Sequence, residues 1–318
     1  MSAPTILVLR ALGLGDLLTG VPALRGLRRG HPGAKLVLAA PAPLASWLQG
    51  LGIVDEVLAT RGLAPLSWPG DAPDVAVNLH GSGPQSHAVL RDVEPGRLLA
   101  FAEPHARPEE GRQAPPWPAD VHEVERWCSL VRRDGGPCDA EDLRLPTAGP
   151  RRSHVVLHPG AASGARRWPV ARWRAVAASL SSAGHRVVVT GTSGESGLCS
   201  TVAAAQPQVI DACGRLELPE LSQLVATAAL VVSGDTGVAH LATAHGTPSV
   251  VLFGPTPPAL WGPAIDHERH IVIWHPSNGD PRGDPHGTDL DLRLARVQVD
   301  EVVDAASLLL SRPRAQPA

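Results

Sequence analysis

The chain has 318 residues, 43% of them hydrophobic, more than one core usually organises and enough to bury two cores of ordinary domain size. Its net charge of −3 gives no general attraction for nucleic acid or for an acidic membrane surface. Lys35 is the single lysine among 28 Lys and Arg, and 32 prolines accompany a complete lack of tyrosine, so the arginine excess reads as composition bias rather than as a device.

The N-terminus, MSAPTILVLRALGLGD, carries no basic stretch before its apolar run, and Gly13, Gly15 and Asp16 interrupt that run. Neither a signal peptide nor a membrane span fits this pattern, which predicts a cytoplasmic protein. Short apolar runs then predict strands at 6–10, 36–40, 74–79, 155–158, 187–191, 230–233, 250–253 and 271–274. These runs do not alternate, as suits strands of a parallel sheet covered on both faces. Helices are predicted between them at 16–29, 85–92, 121–133, 170–183, 195–205, 219–228, 238–245 and 300–310. The alternation reads as α/β, doubly wound.

The segment 135–152, GGPCDAEDLRLPTAGPRR, replaces periodic hydrophobicity with Gly, Pro and charge. It divides the chain into domains 1–150 and 151–318, each opening with a strand and a Gly-containing loop. Two such Rossmann-like domains facing a cleft would bind a ligand between the carboxyl ends of their sheets. The Pro- and charge-rich stretch 103–120 is expected to be an exposed loop, and 312–318 a frayed tail. Cys128, Cys138, Cys199 and Cys213 form no C-x-x-C pair and lack histidines at zinc spacing, so reduced thiols are expected rather than a metal site or a disulfide framework.

Three clusters carry candidate chemistry. The first is Gly13-Leu14-Gly15-Asp16, a glycine turn between a strand and a helix. It falls short of a dinucleotide fingerprint, because Leu18 stands at the third glycine position and no acid closes the strand at 36–40. Asp16 is either a helix N-cap or a general base that takes the proton of an attacking hydroxyl. The second cluster, Pro159 to Pro169, offers backbone N–H groups of a Gly loop beside Arg166 and Arg167, a combination suited to a diphosphate. It lacks the P-loop pattern, which disfavours phosphoryl transfer from ATP.

The third cluster, Ser233-Gly234-Asp235-Thr236-Gly237-Val238-Ala239-His240, runs from a buried strand through a Gly-Asp-Thr-Gly turn into a helix whose free N–H groups suit a pyrophosphate. The bland reading makes Asp235 the cap of that helix and His240 a core residue. His80 ends a strand in the first half and is either an acceptor contact or a satisfied loop histidine. The pair Asp289 and Asp291 resembles the acidic pair of metal-dependent transferases but reads as solvated.

With these three clusters in this order, the sequence resembles glycosyltransferase family 9, the ADP-heptose:lipopolysaccharide heptosyltransferase family. The matching pieces are RALGLGDLLTGVPALRGLR, HPGAASGARRWPVARW and GDTGVAHLATAHGTPSVVLFGPTPP. The resemblance implies a GT-B fold and an inverting, metal-independent enzyme with no cofactor, passing heptose from an ADP-linked donor to a hydroxyl of a glycan or glycolipid. It places the catalytic base at Asp16; Gly15 beside it and His80, on its strand-end reading, are the candidates for the acceptor side. It places the donor on Arg166, Asp235, Thr236, Gly237 and His240; Arg167, beside them in sequence, is either a reserve phosphate ligand or solvated. By spacing, Glu195 corresponds to a ribose-contacting carboxylate and Leu216 to an adenine-pocket position. The family's hydroxyl residues ahead of the basic position are here Ala161 and Ala162, for which Ser163 compensates.

No nucleic acid and no integral membrane segment are expected, while peripheral contact with a membrane stays open. The rival readings are another nucleotide-sugar enzyme such as an epimerase, which makes product without an acceptor, and a two-domain protein that binds a small ligand without turnover.

Overall fold

A computed structural model describes residues 3–103, 114–146, 149–276 and 282–312. Most of the 103–120 stretch and nearly all of the C-terminal tail lie outside the described residues. The chain forms two compact units, Met1–Leu143 and Arg144–Ala318.

The first unit is built on strands β1 (Thr5–Leu9), β2 (Lys35–Ala40), β3 (Glu56–Ala59), β4 (Val75–Asn78) and β5 (Arg97–Leu99). Its helices are α1 (Leu14–Thr19), α2 (Val21–Gly30), α3 (Ala42–Gly50), α4 (Gln85–Arg91) and α5 (Glu123–Arg133). The sheet order is β3-β2-β1-β4-β5, and every pairing is parallel. Leu7, Leu9, Val37, Ala39 and Ala76 point to one face and pack with Val89 and Leu90 of α4. The apolar runs read from sequence at β1, β2 and β4 are therefore the strands buried in the middle. β3 and β5 were not anticipated, because edge strands half exposed to water carry no continuous apolar run.

One prediction is corrected here: the helix expected over 16–29 is two helices. Arg10 fills the space at the break, for a Cβ on Gly20 would lie 2.7 Å from its Cδ. The chain restarts as α2 with a proline in its first turn, where the missing N–H costs nothing.

The second unit has strands β6 (His154–His158), β7 (Arg186–Val189), β8 (Ile210–Asp211), β9 (Leu230–Gly234), β10 (Ser249–Leu252) and β11 (His270–Ile273). Its helices are α6 (Val170–Ser182), α7 (Ser196–Ala203), α8 (Leu218–Ala226), α9 (Gly237–Ala244), α10 (Pro258–Trp261), α11 (Leu292–Arg296) and α12 (Val299–Ser311). The order β11-β10-β9-β6-β7-β8 is again wholly parallel. Val155, Leu157, Val187, Val189, Leu230, Val232, Val250 and Leu252 make one face of the core, covered by α6, α7 and α12. In each unit the sheet reverses direction of growth beside its first strand, between β1 and β4 and between β6 and β9. Ligands of such sheets bind outside the carboxyl ends of the strands at that reversal.

Two buried histidines of the second unit make its stability depend on pH. His245 shares a 2.9 Å hydrogen bond with the Ser222 hydroxyl, and His270 one of 2.8 Å with that of Ser249. Burial pushes both rings down to about 4. Because the folded value lies below the unfolded one, the stabilising contribution is complete above about pH 6.5 and is lost as pH falls towards 4, by up to about 3 kcal/mol for each ring. Urea unfolding at pH 7.5, 6 and 4.5 is expected to show most of this loss between the last two points, and substituting both histidines by glutamine should reduce it, leaving the share of His158 and His154, whose rings burial also lowers.

Candidate functional site

In the first unit the candidate residues gather at the carboxyl ends of β1 and β4. Gly13 is the N-cap of α1, Gly15 its second residue and Asp16 its third. The cap reading of Asp16 is therefore excluded: among the described residues its half-buried carboxylate accepts no hydrogen bond. An uncommitted carboxylate in a first helical turn keeps both oxygens for a hydroxyl proton.

His80 stands two residues beyond β4. Its Nδ1 accepts from the Ala11 N–H at 3.2 Å, and its own N–H donates to Asn78 Oδ1 at 2.9 Å. Burial, and then the positive Arg10, push the His80 ring below its ordinary range, while Asp16 opposes them. The ring is thus neutral at pH 7, with its proton on Nε2.

Arg10, which the sequence reading did not single out, is fully buried behind these groups. Burial lowers it to about 10, against the attraction of Asp16, so it remains charged.

In the second unit the candidate residues gather at the carboxyl ends of β6 and β9. The loop after β6 ends in a 3₁₀ turn, Gly164–Arg166. The Arg166 Nε donates to Ser163 Oγ at 3.3 Å and its Nη1 to the Asp235 carbonyl at 3.2 Å, which joins the second cluster to the third. Ser163 in turn donates to the Pro285 carbonyl at 2.6 Å. Arg167 turns away, its Nε donating to the Ala161 carbonyl at 2.9 Å.

Thr236, not Asp235, is the N-cap of α9, and its side chain makes no capping bond. Among the described residues its hydroxyl is buried with no hydrogen-bond partner, at the start of the helix that opens at Gly237. A buried hydroxyl left this way has room in its bonding for a water, an ion or a ligand, and the Ser233 hydroxyl at the end of β9 is in the same state. His240 lies one turn into α9, buried, with its ring edge-to-face on Trp261 at 5.9 Å.

Glu195 and Leu216 are placed differently. The Glu195 carboxylate accepts from the Thr192 N–H at 2.8 Å and from its hydroxyl at 2.9 Å, closing a capping box ahead of α7. It also lies against the loop after β6, since a Cβ on Gly160 would meet its Oε1 at 2.0 Å. Leu216 lines a cavity of about 600 Å³ alongside α8, with His154, Arg186 and Val188 among its neighbours. None of the described hydrogen bonds ties it to the Arg166–Thr236 group.

Asp291 caps α11 and pairs with Arg293 at 3.0 Å, so it is committed to structure. Among the described residues no set of three or more His, Cys, Asp or Glu side chains is arranged to hold a metal ion. None of the described helices is long and apolar enough to cross a membrane.

The profile of glycosyltransferase family 9 (heptosyltransferase) matches residues 115–282, which include the second and third clusters. The chain is 33% identical over 173 residues to lipopolysaccharide heptosyltransferase 3 of Escherichia coli, covering 52% of this chain and 49% of that protein. It is 28% identical over 145 residues to lipooligosaccharide heptosyltransferase 2 of Haemophilus influenzae, covering 42% of each. The chain thus spans about half the length of the curated relatives it matches.

Among solved structures it superposes on a family 9 glycosyl transferase of Veillonella parvula with a TM-score of 0.76 at 18% identity, covering 98% of both chains. It superposes on the ADP-heptose lps heptosyltransferase II of E. coli with a TM-score of 0.73 at 20% identity, covering 96% of this chain and 98% of that one. The fold is the GT-B type these transferases share.

Proposed function

This chain belongs to glycosyltransferase family 9, and on that premise we propose that it transfers heptose from ADP-heptose to a hydroxyl of a glycolipid or glycan acceptor, by a single inverting displacement and without a metal. The observation that carries the donor side is the unpartnered Thr236 hydroxyl at the start of α9, beside the Arg166 side chain held on the Asp235 carbonyl. In this reading the diphosphate accepts from Thr236, from the first N–H groups of α9 and from Arg166. His240, Glu195, Ser163 and Leu216 shape the rest of the donor site, and Arg167 stays in reserve. As the bond to the sugar breaks, charge grows on the departing phosphate. Fixed amides and a guanidinium meet it there, the role a metal fills in other transferases.

Asp16 is the base. Its carboxylate takes the proton of the acceptor hydroxyl as that oxygen attacks the anomeric carbon, and the glycosidic bond forms as the bond to ADP breaks. Neutral His80 offers its Nε2–H to the acceptor, with Gly15 next to the base in the first turn of α1.

A thermal-shift series with ADP, UDP, GDP, dTDP and NAD tests the donor. ADP at a hundred times its dissociation constant is expected to add about 2.7 kcal/mol of apparent stability. Arg166→Ala should weaken ADP roughly 10- to 100-fold, the loss of a charge-assisted hydrogen bond worth about 1.5–3 kcal/mol. Stabilisation by NAD alone, or by none of the five, would remove the donor assignment. Turnover of ADP-heptose unchanged by EDTA would support the metal-free reading, and turnover to a new sugar nucleotide without acceptor would favour an epimerase.

A further inference from the structure

Asp16 is held in place by its backbone rather than by its side chain. α1 has only six residues and no side-chain cap, too short to persist through its own hydrogen bonds. Three donors converge on the Asp16 carbonyl: Arg10 Nε, the Thr19 hydroxyl at 2.8 Å and the Gly20 N–H at 3.3 Å. The other Arg10 nitrogens reach the Leu79 carbonyl just ahead of His80, the Thr19 hydroxyl at 2.8 Å and Glu123 Oε1 at 3.3 Å. The guanidinium lies 4.9 Å from the Trp127 ring, and the Trp127 indole N–H donates to Glu123 at 2.7 Å. One side chain therefore ties together the ends of β1 and β4, the third and last residues of α1 and the first turn of α5.

The charge at this point asks for an explanation. Glu123 is shared between Arg10 and Arg126, both buried, so two cations face one carboxylate. A buried guanidinium is costly, and an apolar side chain would fill the same space at less expense. What an apolar side chain lacks is a planar fork that fixes several carbonyls at once, and a positive charge behind Asp16.

We propose that Arg10 is a positioning residue for sugar transfer: through the Asp16 carbonyl it sets where the Asp16 carboxylate stands, and through the Leu79 carbonyl it sets His80 beside it. The catalytic part of this rests on Asp16 being the base. The hold of Arg10 on α1 does not.

Arg10→Lys separates the two, since an ammonium keeps the charge but cannot span acceptors on three elements. Amide hydrogen exchange of residues 11–20 is expected to rise about 10-fold or more in Arg10→Lys while α2 keeps its protection, the mark of local release rather than global unfolding. Unchanged exchange in 11–20 overturns the proposal.

Turnover is read with ADP-heptose and lipopolysaccharide from a heptose-deficient strain as the acceptor probe. Arg10→Lys should lower kcat about 10- to 100-fold with KM for ADP-heptose within about 2-fold, the pattern of an interaction needed only in the transition state. Introduced into Asp16→Asn, the same substitution should cost nothing further, because a residue that acts through another adds no loss once that other is gone. Losses that multiply in the double variant overturn the proposal. Wild-type turnover in Asp16→Asn alone would instead remove the base reading, and the exchange measurement would still decide whether Arg10 places α1. Should Arg10→Lys fail to fold, Thr19→Val removes the hydroxyl that bridges Arg10 Nη2 to the Asp16 carbonyl and leaves the direct bond from Nε, so a partial effect is read. It is expected to lower kcat about 3- to 10-fold, and wild-type kcat in that variant would count against the proposal.

Discussion

Asp16→Asn is expected to lower kcat for heptose transfer about 100- to 10,000-fold, the range that removal of a positioned general base costs. The asparagine has nearly the same shape, and the carboxylate it replaces holds no hydrogen bond among the described residues, so the fold should be undisturbed. The stabilising roles lost are that of an acidic side chain in the first turn of α1, worth about 0.3–1 kcal/mol, and its attraction for the buried Arg10 guanidinium. Stabilisation by ADP should be unchanged, because every donor contact assigned above comes from the second unit. Initial rates and ADP thermal shifts on the same preparation check both halves. A variant that binds ADP normally and transfers at the wild-type rate would end the assignment of the base.

Gly164→Ala is expected to abolish productive donor binding, with ADP affinity down about 100-fold or more, equivalent to roughly 2.7 kcal/mol or more. A Cβ at this position would lie 1.6 Å from the Thr288 carbonyl oxygen, a backbone atom that no rotamer change can remove. The segment 284–291 would have to withdraw, and it is laced to the donor loop. The Ala165 N–H donates to the Gly287 carbonyl at 3.0 Å, the Asp291 N–H to the Ala165 carbonyl at 3.2 Å, and Ser163 Oγ to the Pro285 carbonyl. Losing Ser163 from its place releases the Nε of Arg166 and leaves the arm that meets the diphosphate held, among the described residues, by the Asp235 carbonyl alone. Overpacking of this kind costs about 1–3 kcal/mol and should lower Tm by roughly 2–12 °C. Gly197→Ala is the control: nothing lies within 4 Å of its added methyl, and α7 should tolerate or favour it. Wild-type ADP affinity in Gly164→Ala would show that the loop can move without consequence for the donor.

The wholly parallel fold was legible because its inner strands are unbroken apolar runs, from TILVL at β1 to SVVL at β10. What escaped lies at the edges and in short pieces. Glu56–Ala59, with both end residues exposed, has too few apolar positions to announce a strand, and Ile210–Asp211 is two residues long. α3 begins after Pro41 with another proline in its first turn, a signal that was present and not used.

At the site, local grammar carried far. Thr192-Ser193-Gly194-Glu195 spells a capping box, and the box is there, so the same carboxylate proposed for the ribose is also spent on a turn. Contacts across long sequence separations were not legible. Nothing around position 10 announces that Arg10 meets Leu79 and Glu123, 69 and 113 residues further on.

That last separation bears on how the chain is made. Among the described residues every strand pairing is parallel, so no hairpin closes early, and β1 waits for the segment at 35–40 on one side and at 75–78 on the other. At a synthesis rate of about 5–20 residues per second, Arg10 precedes the carboxylate that neutralises it by roughly 5–25 seconds. Before then only the attraction of Asp16 offsets the burial of this guanidinium, so until Glu123 has emerged the nascent sheet is expected to leave the side chain in water. The arrival of α5 is thus the event that lets the first glycine turn set. A ribosome stalled before residue 123 should display a chain that a protease cuts within 11–20, and one stalled far enough downstream for α5 to have left the exit tunnel should not.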